Sequence, residues 1–203
     1  MPRRKLHLSQ EFQGYGVNAS ADEPVYVAHL QTIIRMVQSC SLPGSRWETT
    51  HIVLWLKNEK TSISKVMRDL QRSFSANSFR YFWAREDASD AMPGTPGIHF
   101  HIAVFFNAQI HSFSTLNTAL HELVKKSVLH QYKHIPPKQN RIKNPDISDL
   151  FADEEDPKFC LDLRRKSNVI WAIYWFSYLA KTASKESTPG RTFGASSLKT
   201  KGS

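Results

Sequence analysis

One run of nine residues constrains the fold more than any other part of the chain. Residues 98–106 read Ile-His-Phe-His-Ile-Ala-Val-Phe-Phe. Side chains on a β-strand point alternately to opposite faces, so His99 and His101 lie together on the face opposite to Ile98 and Phe100. The pattern predicts a strand whose apolar face packs under helices and whose other face carries two adjacent histidines.

The elements around this strand follow a β-α-β-β-α-β order. One further helix precedes this unit and another follows it. The spacing predicts strands at 51–56, 79–86, 98–106 and 159–163, and helices at 24–40, 61–74, 114–128 and 168–184. Thr61 or Ser62 is expected to cap the second helix, and Ser114 the third. The order predicts an α+β fold with a ferredoxin-like (RRM-like) antiparallel sheet. Its two internal helices would cover one face and leave the other free, with an N-terminal helix and a C-terminal tyrosine-bearing helix added.

Length and composition set the domain plan. A chain of 203 residues is expected to form one domain. We assign a polar arm to 1–23, the domain to 24–184 with its core at about 47–184, and a basic Ser/Thr-rich tail to 185–203. Two cysteines are too few for a disulfide scaffold, and no apolar run reaches the roughly 18 residues that a membrane span needs. We therefore expect a cytoplasmic protein with no membrane association.

The charge balance points to a polyanionic partner. Lys and Arg exceed Asp and Glu by 27 to 18, a net charge of +9. Nucleic acid is the commonest partner of so basic a domain, although a solvated basic surface is the alternative. The candidate DNA-binding residues lie near the ends of the third predicted helix and the last predicted strand: Lys138, Arg141, Lys143, Arg164, Arg165 and Lys166.

The paired histidines are candidate metal ligands. Neighbouring imidazoles on one strand face are close enough to share a divalent ion, although two solvent-facing histidines would give the same pattern. The preceding strand offers a third ligand, because Glu86 lies at the mouth of the hairpin that leads to His99. Asp87 and Asp90 are weaker substitutes, and an ordinary ion pair is the alternative role of Glu86.

A second motif lies in the last helix, where residues 174–181 read Tyr-Trp-Phe-Ser-Tyr-Leu-Ala-Lys. Helical spacing places Tyr174, Tyr178 and Lys181 within an arc of about 60°. Two phenols and an ammonium beside a metal suit nucleophilic attack on phosphorus, because the metal offsets the weak nucleophilicity of a phenol. Plain packing of aromatic residues in the core is the alternative.

The histidine pair and the tyrosine motif together resemble the HUH endonucleases, in particular the initiators of rolling-circle replication. Three further segments are similar to inovirus gene II type replication proteins and related prophage-encoded proteins. These are Trp83-Ala-Arg-Glu86, Ser177-Tyr-Leu-Ala-Lys-Thr182 and Arg191-Thr-Phe-Gly-Ala-Ser196. The resemblance covers roughly residues 47–196.

The resemblance implies a metal-dependent endonuclease that nicks and rejoins single-stranded DNA through a 5′-phosphotyrosyl intermediate. It assigns His99, His101 and, as a plausible third ligand, Glu86 to Mg²⁺ or Mn²⁺. Tyr178 would be the primary nucleophile, Tyr174 a second nucleophile or supporting residue, and Lys181 the residue that steadies the phosphate or the phenolate.

The same resemblance implies the setting in which the enzyme acts. The substrate would be single-stranded or hairpin DNA at a replication origin, with helicase and polymerase supplied by the host. The protein would be phage-encoded or belong to the bacterial host.

Three other functions remain open from the sequence. A transposase or relaxase of the same superfamily would differ only in its target. A non-catalytic RRM-like protein would stack bases on sheet aromatics such as Phe105. A degenerate family member would act as a regulator, although both tyrosines are retained.

Overall fold

The computed structural model describes residues 5–58, 61–87, 98–137, 159–181 and 192–197. Within these ranges lie four α-helices, α1 (Val27–Cys40), α2 (Ile63–Gln71), α3 (Phe113–Lys125) and α4 (Lys166–Ser177), and a 3₁₀ turn at Tyr178–Ala180. The longer strands are β5 (Trp47–Leu56), β6 (Phe79–Asp87), β7 (Ile98–Asn107) and β8 (Leu129–Ile135). The shorter strands are β1 (Leu6–His7), β2 (Glu11–Phe12), β3 (Tyr15–Gly16), β4 (Val25–Tyr26), β9 (Leu161–Asp162) and β10 (Phe193–Ala195).

An antiparallel sheet forms the centre of the protein, which confirms the α+β class. Its strand order is β10-β6-β7-β5-β8, and β9 pairs with the start of β5. The strand β5 therefore has β7 along one edge, with β8 and β9 placed end to end along the other. Two small antiparallel pairs, β1 with β4 and β2 with β3, precede the sheet.

One face of the sheet packs under α2 and α3. The alternation predicted for residues 98–106 is confirmed, because Phe100, Ile102, Val104 and Phe106 all belong to this core. They meet the apolar sides of the two helices through Val66, Met67, Leu70, Leu116, Leu120 and Leu123. This side is therefore a conventional helix-on-sheet core.

The opposite face is not free, contrary to the sequence-based expectation. It is covered by α1 and α4, which pack with Phe82, Ala103 and Phe105 into a second core. The physical reason is the composition of α4: Trp171 to Ser177 are all buried, so this helix needs cover on most sides. Because Phe105 is fully buried, it has no surface on which a base can stack.

The fourth long strand is also not the predicted one. Residues 159–163 contain only the two-residue strand β9, whereas β8 follows α3 directly. The sequence of β8, Leu-His-Gln-Tyr-Lys-His-Ile, lacks apolar alternation because the strand lies at one end of the sheet, where His130, Gln131 and Lys133 are exposed. Charged and polar residues are common on such edges, since they oppose edge-to-edge aggregation.

All four helices differ from their predicted bounds by two or more residues at one end at least, and α3 and α4 show the physical reasons. The N-cap of α3 is Ser112 rather than Ser114, and the Ser112 backbone N–H donates to the Thr115 hydroxyl at 3.3 Å. The last helix begins at Lys166 and ends at Ser177, where the chain tightens into the 3₁₀ turn. Ser62, one of the two expected caps, is the N-cap of α2.

Both terminal regions contribute to the sheet and its cores. Val17 and Ala19, from the segment predicted as a polar arm, are buried in the core under α1 and α4. Of the predicted tail, residues 192–197 are described, and Phe193–Ala195 forms β10 at the edge of β6. No helix among the described residues has the length and apolarity needed to cross a membrane.

The pairing of β10 with β6 yields a stability prediction. A Cβ placed on Gly194 would meet the Trp83 ring at 2.6–2.7 Å, and Trp83 is only 3% exposed. We expect Gly194→Ala to cost about 1–3 kcal/mol by overpacking, lowering the Tm by at least about 2 °C in a chain of this size. Thermal unfolding of Gly194→Ala beside the exposed-site control Ser197→Ala measures this; equal Tm values would contradict the placement of β10.

Candidate metal centre

The β6–β7 hairpin brings three potential ligands together on the sheet face that carries α1 and α4. Glu86 pairs directly with His99, and Ala84 pairs with His101. Directly opposed residues of antiparallel strands share a face, so the Glu86 carboxylate lies beside both imidazoles. The grouping expected from the sequence is therefore present.

The three ligand atoms are spaced as a small metal ion requires. Nε2 of His101 lies 3.1 Å from Nε2 of His99 and 3.2 Å from Oε2 of Glu86. Nε2 of His99 lies 3.8 Å from Oε2 of Glu86. A point in the plane of these atoms is about 2.0 Å from each, close to the bond lengths of Mg²⁺ and of first-row transition ions in proteins. Among the described residues, Glu86, His99 and His101 form the cluster able to hold a metal ion.

The cluster is sheltered and still reachable. The side chains of His99, His101 and Glu86 are 13%, 15% and 17% exposed. The Trp55 ring stacks on His99 with centroids 5.8 Å apart and an interplanar angle of 23°. An ion held by these three residues would keep coordination positions open on its exposed side.

The hydroxyl of Tyr178 lies on the other side of the His101 ring. Its Oη is 2.5 Å from Nδ1 of His101, and the two rings meet edge to face with centroids 5.6 Å apart. Tyr178 is the first residue of the 3₁₀ turn after α4, and it is half-buried. The structure thus brings the predicted tyrosine into contact with a predicted metal ligand.

His51 is part of this arrangement and was not among the predicted site residues. Its Nε2 lies 3.0 Å from Nδ1 of His101 and 3.4 Å from Oη of Tyr178. It comes from β5, where it pairs with Ala103 of β7. The signal in the sequence is the alternation of His51 with Val53 and Trp55, but its approach to His101 depends on strand pairing.

Tyr174 lies in a different environment from Tyr178. Its side chain is 5% exposed and belongs to the core that α1 and α4 form on the sheet. The backbone around it is held firmly, because its carbonyl accepts a hydrogen bond from the Ser177 hydroxyl at 2.6 Å. Tyr174 is therefore less exposed than Tyr178.

Lys181 is engaged by the N-terminal segment. Its Nζ donates to Oε2 of Glu23 at 2.7 Å, and its backbone bridges to Val25. The lysine side chain is 16% exposed, against 57% for that of Glu23. The contact holds the end of the 3₁₀ turn against the strand β4.

The predicted DNA-binding residues fall into two groups. Lys138, Arg141 and Lys143 lie outside the described residues, as do Asp90 and the side chain of Asp87. Arg164, Arg165 and Lys166 are exposed at the start of α4, about 20 Å from Tyr178 along the helix axis at 1.5 Å per residue.

Of this second group, Arg164 already has an acidic partner. It donates to Asp162 at 2.6 Å, and its hydrogen bonds hold the pKa of Asp162 below the usual range. Because Trp171 to Ser177 of α4 are buried, a DNA strand that touches both this group and Tyr178 would have to cross the elements that cover α4.

Comparisons with known proteins do not identify a family. No protein-family model matches the chain, and neither a curated protein nor a solved structure is significantly similar to it. The functional interpretation therefore depends on the geometry of the site.

Removal of either histidine tests the metal site. We expect His99→Ala and His101→Ala to weaken Mn²⁺ binding by at least about 100-fold, since loss of an outer-shell partner alone typically costs 10–100-fold. Calorimetric titration with Mn²⁺ measures this, and the control is His130→Ala, an exposed histidine on β8. Unchanged affinity in the double variant of His99 and His101 would contradict the assignment.

Proposed function

We propose that the protein is a metal-dependent endonuclease that cleaves and rejoins single-stranded DNA through Tyr178, as the resemblance to HUH initiators of rolling-circle replication implies. One observation carries the proposal: the Tyr178 phenol contacts His101, whose other ring nitrogen belongs to the cluster with Glu86 and His99. The nucleophile would thus lie one imidazole ring away from the ion, and a modest movement of the Tyr178 side chain would let both reach one scissile phosphate.

The proposed reaction assigns a role to each group. Glu86, His99 and His101 would hold Mg²⁺ or Mn²⁺, which polarises a phosphoryl oxygen and offsets the charge that builds up during attack. The phenolic oxygen of Tyr178 forms a bond to phosphorus as its proton leaves, and the bond to the 3′-oxygen breaks. The products are a 5′-phosphotyrosyl link and a 3′-hydroxyl, which takes up a proton and is free to prime replication.

A ferredoxin-like plan for the sheet is part of the proposal. It is supported by the order β6-β7-β5-β8 and by the packing of α2 and α3 on a common face. In this plan α1 and α4 are additions to the opposite face, and the 3₁₀ turn after α4 delivers Tyr178 to the sheet.

The catalytic function is favoured over a binding module of the RRM type. Such modules stack bases on exposed aromatics of the sheet, whereas Phe82 and Phe105 on the corresponding face are buried under α1 and α4. The partly exposed part of this face instead carries the carboxylate and imidazoles of the cluster.

Replacement of Tyr178 tests the nucleophile. We expect Tyr178→Phe to eliminate the covalent protein–oligonucleotide adduct, because it removes the attacking oxygen and retains the ring. Tyr174→Phe is the matched control: its ring stays in the core, and first-strand cleavage should be largely retained. Denaturing gels of reactions in Mn²⁺, followed by peptide mapping, provide the measurement.

Two outcomes of the mapping would contradict the assignment. Nucleotide attached only to Tyr174 would transfer the role of nucleophile to that residue. If the wild type forms the adduct in good yield but the nucleotide is attached to neither tyrosine, both tyrosines of this motif are excluded as the nucleophile.

The basic start of α4 gives a prediction about binding. We expect the double variant Arg165→Ala/Lys166→Ala to reduce the log–log salt slope of single-stranded DNA binding by about 0.7 for each phosphate that the variant no longer neutralises. Fluorescence anisotropy across a salt series measures the slope. The control is Lys125→Ala on α3, whose lysine pairs with Glu122 at 2.9 Å beside the other sheet face. An unchanged slope in the double variant would show that Arg165 and Lys166 do not contact the DNA.

A further inference from the structure

We infer that His51 is a positioning residue, which accepts the hydrogen bond of the Tyr178 phenol once Nε2 of His101 is taken up by the metal centre. The inference rests on the proposed metal centre and extends it to a residue outside the ligand cluster.

The two ring nitrogens of His101 face different groups. Nε2 faces the ligand cluster, 3.2 Å from Oε2 of Glu86 and 3.1 Å from Nε2 of His99. Nδ1 faces Oη of Tyr178 at 2.5 Å and Nε2 of His51 at 3.0 Å. His101 therefore links the ligand cluster to a polar pair formed by Tyr178 and His51.

Without a metal, the Glu86 carboxylate orients the His101 ring. A neutral imidazole carries one hydrogen, and a carboxylate accepts it best, so Nε2–H points to Glu86. Nδ1 is then an acceptor, and the Tyr178 hydroxyl donates to it over the short contact between the two groups.

A metal ion bound by Nε2 would reverse that hydrogen bond. Nε2 must offer its lone pair to the ion, so the ring hydrogen lies on Nδ1. Nδ1–H then has two possible acceptors, Nε2 of His51 at 3.0 Å and the phenolic oxygen of Tyr178 at 2.5 Å. The shorter contact favours the phenolic oxygen, so the phenolic hydrogen requires a different acceptor. Nε2 of His51, 3.4 Å from the phenolic oxygen, is placed for this role.

The surroundings of His51 suit this role. The residue is 2% exposed, and its ring contacts Trp175, Phe176 and Tyr178 at centroid distances of 5.5, 6.2 and 5.8 Å. Water therefore has little access to the His51 ring. A shift of about 0.6 Å brings the Tyr178–His51 contact to an ordinary hydrogen-bond length, which a residue in the short 3₁₀ turn accommodates.

A ligand role for His51 is the competing interpretation. The cluster whose ligand atoms all lie within 4.8 Å of one another comprises Glu86, His99 and His101 and does not include His51. The two roles predict different responses of metal affinity, which makes them separable by experiment.

The first test compares His51→Phe with His51→Gln. We expect His51→Phe to leave the Mn²⁺ Kd within about threefold of the wild type and to slow formation of the Tyr178 adduct at least tenfold. Glutamine offers an amide oxygen to the phenol, so His51→Gln should recover most of the rate.

Either of two results would overturn the inference. Adduct formation by His51→Phe at the wild-type rate would show that the hydrogen bond is unimportant. A loss of Mn²⁺ affinity in His51→Phe as large as that in His99→Ala would show that His51 is a ligand.

A second test needs no cleavage and uses the wild-type protein. In ¹⁵N-histidine NMR spectra, titration with Mg²⁺ should move the ring hydrogen of His101 to Nδ1. In the Mg²⁺-loaded protein, Tyr178→Phe should then shift the His51 Nε2 resonance, and an unaffected resonance would contradict the inference. A wild type that shows these shifts but forms no adduct would overturn the proposed endonuclease and leave the hydrogen-bond inference standing.

Discussion

The antiparallel pairing of β6 with β7 is the constraint on which the rest of the site depends. It places Glu86 opposite His99, and a slip of one residue would turn Glu86 to the other face of the sheet. The register is held from the far side, where Trp83, Phe100 and Ile102 pack under α2 and α3. The hydrophobic core on one face therefore fixes the geometry of the polar cluster on the other.

Much of this arrangement could be predicted from local pattern alone. Strict alternation in residues 98–106 predicts both the strand and the shared face of His99 and His101. The position of Glu86 at the mouth of the hairpin that leads to His99 makes it a natural third member, provided that the strands pair in the observed register. The tyrosine motif predicts Tyr178 as a site residue. The last helix itself ends at Ser177, one residue before Tyr178.

What escaped prediction depends on long-range packing. The polar sequence of β8 shows its strand character only beside β5, and the cover over the second sheet face follows from the burial of α4 on nearly all sides. His51 and His101 are 50 residues apart in the chain, and they meet only because β5 lies next to β7. The burial of Tyr174 likewise reflects where α1 packs, which helical spacing does not specify.

The most direct test of the metal centre is a crystal structure of the protein grown with Mn²⁺, with anomalous diffraction used to locate the ion. The arrangement described above predicts one strong peak bounded by Nε2 of His99, Nε2 of His101 and the Glu86 carboxylate, with Tyr178 on the Nδ1 side of His101. A peak between His51 and Nδ1 of His101, or no peak near these histidines at saturating Mn²⁺, would contradict it.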